Sequence, residues 1–103
     1  MKTSELIGPA LDWAVAKCEG YANDEISDTW NYSTDWAQGG PIIEREEIDI
    51  YCYESPKSGC GWWVAEITGK RAKAKGHTPL IAAMRCYVAS KLGDEIEIPE
   101  ELK

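Results

Sequence analysis

The chain has 103 residues, 44% of them hydrophobic, and a formal net charge of −7. This length suits one hydrophobic core, so we expect a single domain over residues 1–103 with an acidic tail at 94–103. No apolar run approaches the roughly 18 residues of a membrane span, and no apolar leader for export follows Met1. The negative charge disfavours nucleic acid and anionic lipid as general partners.

The first predicted element is a helix over residues 9–19. Pro9 suits the first helical turn, and apolar residues at helical spacing then form one stripe, namely Leu11, Ala14, Val15 and Cys18. Gly20 is suited to end the helix. Residues 21–32 are rich in turn formers and predict a loop.

The stretch 32–41 predicts a short helical turn. Thr34 has the side chain of an N-cap, and Asp35 is also suited to capping a turn. We expect Gly39, Gly40 and Pro41 to interrupt this turn. The two glycines either punctuate the chain or let the backbone approach a bound group closely.

A β-hairpin is predicted from strands at about 48–54 and 61–67. Ile48, Ile50 and Cys52 alternate with polar or aromatic residues, which is the period of a strand with two unlike faces. Residues 55–59 form the turn. A hairpin alone is marginally stable, so a further strand or a helix must cover it.

The last predicted helix spans residues 79–92. Thr78 is suited to the N-cap, Pro79 to the first helical position and Gly93 to the position past the end. Beyond it, Ile96 and Ile98 alternate as in a short edge strand. Together these elements predict an α+β fold, in which a small antiparallel sheet built around one hairpin is packed by the N-terminal and C-terminal helices.

The cysteines do not have the spacing of a metal site. Cys18, Cys52, Cys60 and Cys86 form no C-x-x-C pair, and His77 is next to none of them. We therefore predict neither a metal nor a cofactor. Cys18 and Cys86 occupy apolar helix positions. Cys52 and Cys60 flank the hairpin turn and either remain reduced or form a regulatory disulfide.

Three separated blocks of sequence resemble the phage NinX-like family. They are Leu-Asp-Trp-Ala-Val-Ala-Lys at 11–17, Tyr-Ser-Thr-Asp-Trp-Ala-Gln-Gly-Gly-Pro at 32–41 and Thr-Pro-Leu-Ile-Ala-Ala-Met-Arg at 78–85. Parts of the second and third blocks also look like the wider phage α-β-α sandwich domain group. The resemblance implies a phage origin, a location in the host cytoplasm and a compact α+β fold. It implies no catalytic residues.

Positive charge is concentrated in residues 69–79, which hold five basic residues and no acid: Lys70, Arg71, Lys73, Lys75 and His77. We predict that this segment is a loop leading into the last helix. The N–H groups and dipole at a helix start favour an anion, and Arg85 could add a two-pronged clamp. The alternative is a solvated lysine loop without a ligand.

Aromatic residues could supply the stacking half of a nucleotide site. The chain has five Trp, five Tyr and no Phe. The candidate ligand-binding residues are Tyr32, Ser33, Thr34, Asp35, Trp36, Gly39, Gly40, Trp62, Lys75, His77, Thr78 and Arg85. The alternative is that the Trp side chains mainly fill the core, which we prefer for Trp13 and Trp63.

With one His and no ordered base and nucleophile around it, we predict that the protein is not an enzyme. The first functional hypothesis is a phage accessory protein that binds and sequesters a host immune signal of nucleotide type. Because one small subunit offers little pocket volume, we expect a homo-oligomer. The alternative is an acidic inhibitor or adaptor directed at a host protein. Direct DNA contact, limited to residues 69–79, is the third hypothesis.

Overall fold

The computed structural model describes residues 2–22, 25–26, 30–55 and 59–98, with side chains of 53–55 and 59–61 excluded. The main elements are α1 (Gly8–Cys18), α2 (Trp36–Glu46), β1 (Asp49–Ser55), β2 (Gly59–Ile67), β3 (Ala72–Gly76) and α3 (Pro79–Leu92). Short 3-10 turns at Thr3–Glu5 and Thr68–Lys70 complete the described part. The predicted α+β fold, with its hairpin and its two terminal helices, is confirmed.

The three strands form one antiparallel sheet in the order β1-β2-β3. Ala65 in the central strand lies opposite Ile50 on one side and Ala74 on the other. These residues belong to or pack on the core under α3. Because side chains alternate along a strand, the residues next to these in each strand lie on the other face of the sheet. One of its cross-strand rows is Tyr51, Val64 and Lys75.

Helix α3 is the central element of the core. Every residue from Leu80 to Val88 is buried, as expected for a helix that is surrounded on all sides. It packs against the sheet, α1 and α2. The core shared by these elements includes Leu11, Val15, Ile42, Met84 and Val88. No helix among the described residues is long and apolar enough to cross a bilayer.

The interruption predicted at residues 39–41 is wrong, because α2 continues through Gly39, Gly40 and Pro41. Its N-cap is Asp35 and not Thr34, and the Asp35 side chain accepts a hydrogen bond from the Ala37 amide at 2.9 Å. A Cβ added at Gly39 would lie 2.7 Å from the Leu80 side chain. Gly39 therefore serves close packing between α2 and α3.

The prediction of a loop at 69–79 is also wrong, since residues 72–76 form β3. Ala72 and Gly76 are buried and alternate with exposed Lys73 and Lys75. Alanine, lysine and glycine are poor strand formers, so pairing with β2 decides the conformation here. The strand predicted at 96–98 does not form: the tail makes an isolated bridge between Lys2 and Glu95, and Ile98 is buried. Residues 99–103 lie outside the described part.

Cys18 and Cys86 are free thiols. Burial is the main reason that the pKa of Cys86 is raised to about 11 and that of Cys18 to about 12. Both are therefore protonated at neutral pH and act as small apolar side chains. Cys52 is disulfide-bonded. The side chain of Cys60, the partner considered for it above, lies outside the described side chains.

Candidate functional site

The candidate ligand-binding residues fall into two groups in the structure. The first surrounds the start of α2 and comprises Tyr32, Ser33, Thr34, Asp35, Trp36, Gly39 and Gly40. The second follows β2, β3 and α3 and comprises Trp62, Lys75, His77, Thr78 and Arg85.

The first group is largely occupied by the fold itself. Ser33 is buried and donates from its amide and its hydroxyl to Asp12 Oδ1, at 2.8 and 2.7 Å. Asp35 caps α2, and Gly39 packs against Leu80. These contacts join α1, α2 and α3, so their role is to hold the helices together.

Aromatic side chains of the first group lie at the surface near α2. Tyr32 contacts Trp30 edge-on at 6.2 Å between ring centroids, and Trp30 contacts Tyr21 at 4.8 Å. Trp36 is 54% exposed. Among the described residues, no member of this group lines the cleft that contains Trp62, Lys75, His77 and Arg85.

In the second group, Trp62 and His77 form a stacked pair. Their ring centroids are 4.4 Å apart and their planes differ by 29°. Trp63 lies opposite Gly76 in the sheet, which places the preceding Trp62 beside the following His77. Trp62 is 42% exposed, so the pair presents aromatic surface to solvent.

The stacked pair borders a cleft of ≈ 620 Å³ along β3, which we call the basic cleft. It is lined by Ser4, Trp62, Lys73, Ala74, Lys75, His77 and Arg85. These residues contribute three cationic side chains and no carboxylate. On a chain whose net charge is −7, the basic cleft is thus a local concentration of positive charge.

Arg85 is the fixed cation of the basic cleft. It is only 8% exposed, and it donates from Nε to the Leu6 carbonyl at 2.7 Å and from Nη1 to the Lys75 carbonyl at 2.8 Å. Its Nη2 has no hydrogen-bond partner among the described residues. Burial lowers the pKa of Arg85, but arginine remains charged at neutral pH. Two of its five N–H groups are thus used within the fold, and the two-pronged clamp stays a prediction.

Two positions in the first turn of α3, Pro79 and Ile81, offer no free N–H to a ligand. The Thr78 hydroxyl accepts from the Ile81 amide at 3.1 Å, and Pro79 has no N–H to offer. Thr78 does not line the basic cleft. Positive charge in the basic cleft therefore comes from side chains of β3 and α3, and the predicted contribution of helix amides has no support in this geometry.

Two residues that line the basic cleft, Ser4 and Lys73, are not among the candidate ligand-binding residues predicted from the sequence. Small residues alternate with lysines at 72–76. This pattern could have predicted a strand in which the Lys73 side chain faces outward. Ser4 has no local pattern to reveal it. It reaches the basic cleft because the neighbouring Thr3 is bound to the far end of the chain, with its hydroxyl donating to the Gly93 carbonyl at 2.6 Å.

A second cleft of ≈ 410 Å³, which we call the distal cleft, adjoins the first. The two share Ser4, Lys73, Ala74 and Arg85. The distal cleft is lined in addition by Lys2, Thr3, Ala89, Asp94 and Glu95. The two clefts thus form one groove, with cations at its middle and carboxylates at one end.

The fold and the groove define a small α+β protein with an aromatic and cationic cleft at a sheet edge. The family model described as Bacteriophage P22, NinX matches residues 2–91, and the chain belongs to this family. The resemblance found in the three sequence blocks is thereby confirmed. No curated protein matches the chain. The matched range contains every residue that lines the basic cleft.

Proposed function

We propose that this phage protein binds and sequesters a host immune signal of nucleotide type in the host cytoplasm, without chemical conversion. The observation that carries the proposal is the meeting of the Trp62–His77 stack with Lys73, Lys75 and Arg85 in one cleft. Such a cleft offers both parts of a nucleotide a complementary surface.

The stacked pair provides the surface for a base. A base can extend the stack on Trp62 or replace His77 against it, since both rings are at the surface. Stacking on an aromatic side chain contributes about 1–3 kcal/mol per base in single-strand recognition. It tolerates different bases because each has a π face, so it gives affinity more than base specificity.

The cations provide the surface for phosphate. Lys73 and Lys75 carry ammonium groups on flexible chains, whereas the two backbone hydrogen bonds of Arg85 hold its guanidinium in place. Charge-assisted hydrogen bonds to phosphate are roughly twice as strong as neutral ones. The acidic remainder of the surface repels a long polyanion, so the arrangement favours a small nucleotide over nucleic acid.

Sequestration without catalysis agrees with the chemistry of the basic cleft. Its lining residues include no carboxylate and no thiol, and its His77 lies against an indole. The cleft is open to solvent in one subunit, and a second copy of the chain placed over it would enclose the ligand. We therefore include a homo-oligomer in the proposed function.

Isothermal titration of the full chain against nucleoside diphosphates, cyclic dinucleotides and ADP-ribose tests the proposal. We expect binding of at least one ligand at micromolar concentration and its loss in Trp62→Ala. Trp36→Ala is the matched control, because Trp36 is equally large, more exposed and outside the cleft. Absence of binding across the panel, or equal effects of the two substitutions, would contradict the proposal. Mass spectrometry of the released ligand must also find it intact.

The second candidate function is a protein-directed inhibitor or adaptor. The exposed Trp36 on α2 favours it, because tryptophan is enriched at interface hot spots and the chain is acidic. Capture of one stoichiometric, basic host protein after nuclease treatment, lost in Trp36→Ala and kept in Trp62→Ala, would favour this function over the first.

A further inference from the structure

The groove continues past the place where phosphate is expected. Ser4, Lys73, Ala74 and Arg85 line both clefts and therefore lie at their junction. The aromatic pair lies on one side of this junction, and the distal cleft of ≈ 410 Å³ lies on the other. A ligand with its base on Trp62 would reach the junction with its phosphates and have further space beyond them.

Arg85 marks the junction as the place where the anionic group of a ligand would bind. Its guanidinium is buried and has two nitrogens bound to backbone carbonyls, while Nη2 lacks a described partner. A ligand oxygen that accepts from Nη2 makes a charge-assisted hydrogen bond, which is stronger than a neutral one. Lys73 lines the same junction and adds a second positive charge.

The distal cleft has different chemistry. Asp94 and Glu95 contribute two carboxylates against the one ammonium group of Lys2, so this end accepts hydrogen bonds and its excess of negative charge repels phosphate. The Thr3 hydroxyl is occupied by its bond to Gly93. The group that suits this end is uncharged and rich in hydroxyl donors, as a sugar is, and a terminal phosphate does not suit it.

We infer that the groove takes an extended nucleotide of the nucleoside diphosphate–sugar class, with the base on the Trp62–His77 pair, the diphosphate at Arg85 and Lys73, and the sugar beside Asp94 and Glu95. The inference rests on the proposed function and deepens it. The anionic part of the ligand lies in its middle, and two uncharged parts occupy the ends of the groove.

Titration calorimetry with two matched ligand pairs tests this order of groups: ADP with ADP-ribose, and UDP with UDP-glucose. We expect the sugar-bearing member of at least one pair to bind about tenfold more tightly, the effect of roughly one charge-assisted hydrogen bond. ATP, which extends the phosphate chain toward the carboxylates, should bind no more tightly than ADP.

The double variant Asp94→Asn, Glu95→Gln tests the distal cleft directly. It should reduce the preference for the sugar-bearing ligand to less than about threefold while leaving affinity for the plain diphosphate unchanged or slightly higher. Glu47→Gln, Asp49→Asn is the matched control, since it removes the same charge at a different cleft. Thermal melting of both variants checks that each remains folded.

The outcomes distinguish failure of the extended ligand from failure of nucleotide binding itself. If diphosphates bind but the attached sugar adds nothing, or if the double variant keeps the full preference, the extended ligand is overturned and nucleotide binding stands. If no member of either pair binds and cyclic dinucleotides do, the inference is again overturned. If no ligand of any class binds, the proposed function falls with it.

Discussion

Arg85 donates a 2.8 Å hydrogen bond from Nη1 to the carbonyl oxygen of Lys75, which joins the central helix to the outer strand of the sheet. A second bond from Nε reaches Leu6 in the N-terminal segment. One buried side chain therefore holds together three parts of the chain that are distant in sequence. Arg85 also lines both clefts of the groove, so the residue that joins these segments is the one to which we assign phosphate binding.

We predict that Arg85→Lys lowers both stability and nucleotide affinity. A lysine carries its donors on one nitrogen and cannot reproduce the fork that spans two carbonyls. Losing one of these buried bonds should cost about 1–3 kcal/mol of unfolding free energy, measured by urea denaturation. Arg71→Lys, at an exposed position, is the control and should change stability by less than about 0.5 kcal/mol. Equal stability of the two variants would show that the Arg85 fork is dispensable.

Two adjacent glycines in α2 should respond in opposite directions to alanine. In Gly39→Ala the new methyl would clash with the Tyr32 carbonyl oxygen and lie 2.7 Å from Leu80 Cδ1, and we expect a loss of about 1–3 kcal/mol despite the better helix propensity. A Cβ at Gly40 meets nothing within 4 Å, so Gly40→Ala should gain up to about 1 kcal/mol. Denaturant midpoints measure both. A gain in Gly39→Ala would show that α2 does not pack as described.

The elements that could be predicted from the sequence are those with local signals, namely capping residues at a helix end or a regular alternation of side chains along a strand. Thr78, Pro79 and Gly93 bound α3 as expected, and the alternation at 48–54 and 61–67 gave the hairpin. The continuity of α2 escaped prediction because Gly39 and Pro41 disfavour a helix locally. Contact with Leu80 and the Asp35 cap overrides that preference.

The residue types of the candidate site could be read from the sequence, whereas their arrangement in space could not. The charge count around Lys75 and His77 pointed to this region, but the stack with Trp62 depends on the register between β2 and β3. That register could not be predicted, because the residues of β3 have a low intrinsic propensity for β-structure and form a strand only by pairing with β2. The seven candidates around α2 were selected for a ligand, yet Ser33, Asp35 and Gly39 contact the protein's own chain.

Asp12→Asn should remove the free-energy cost of burying a carboxylate, a cost that lowers stability as the pH rises. Burial raises the pKa of Asp12 above its ordinary 3.8, and the two hydrogen bonds from Ser33 only partly oppose this. The folded state thus binds the proton more tightly than the unfolded state, so stability falls as pH rises from about 3.8 through the raised pKa. An asparagine oxygen can accept both Ser33 bonds without a charge.

The measurement for Asp12→Asn is urea denaturation from pH 3.5 to 7. The stability of the variant relative to the natural chain should increase with pH and then level off above the raised pKa. Ser33→Ala is the contrasting variant: it removes the hydroxyl donor but keeps the carboxylate, so it should be destabilised most at neutral pH. A constant difference between Asp12→Asn and the natural chain across this range would contradict the argument.

Glu19 should have the opposite pH dependence. Burial tends to raise its pKa, but bonds from Arg45 at 2.6 and 3.1 Å and from the Tyr87 hydroxyl outweigh this and lower it. Its contribution is therefore present above the ordinary carboxyl pKa and is lost as pH falls through the lowered one. Tyr87→Phe should cost about 1 kcal/mol near pH 7 and less in acid, where Glu19 is protonated.

Denaturation of Tyr87→Phe at pH 7 and pH 3 measures this difference. Tyr51→Phe is the matched control, because the hydroxyl of Tyr51 bonds to Glu66 at 3.3 Å on the exposed sheet face. It should change stability by less than about 0.5 kcal/mol at either pH. The hydroxyl of Tyr87 links α3 to the end of α1, so its loss should also speed hydrogen exchange at the amides of Cys18 and Glu19. An equal loss in Tyr87→Phe at both pH values would mean that packing alone, and not the bond to Glu19, accounts for the change.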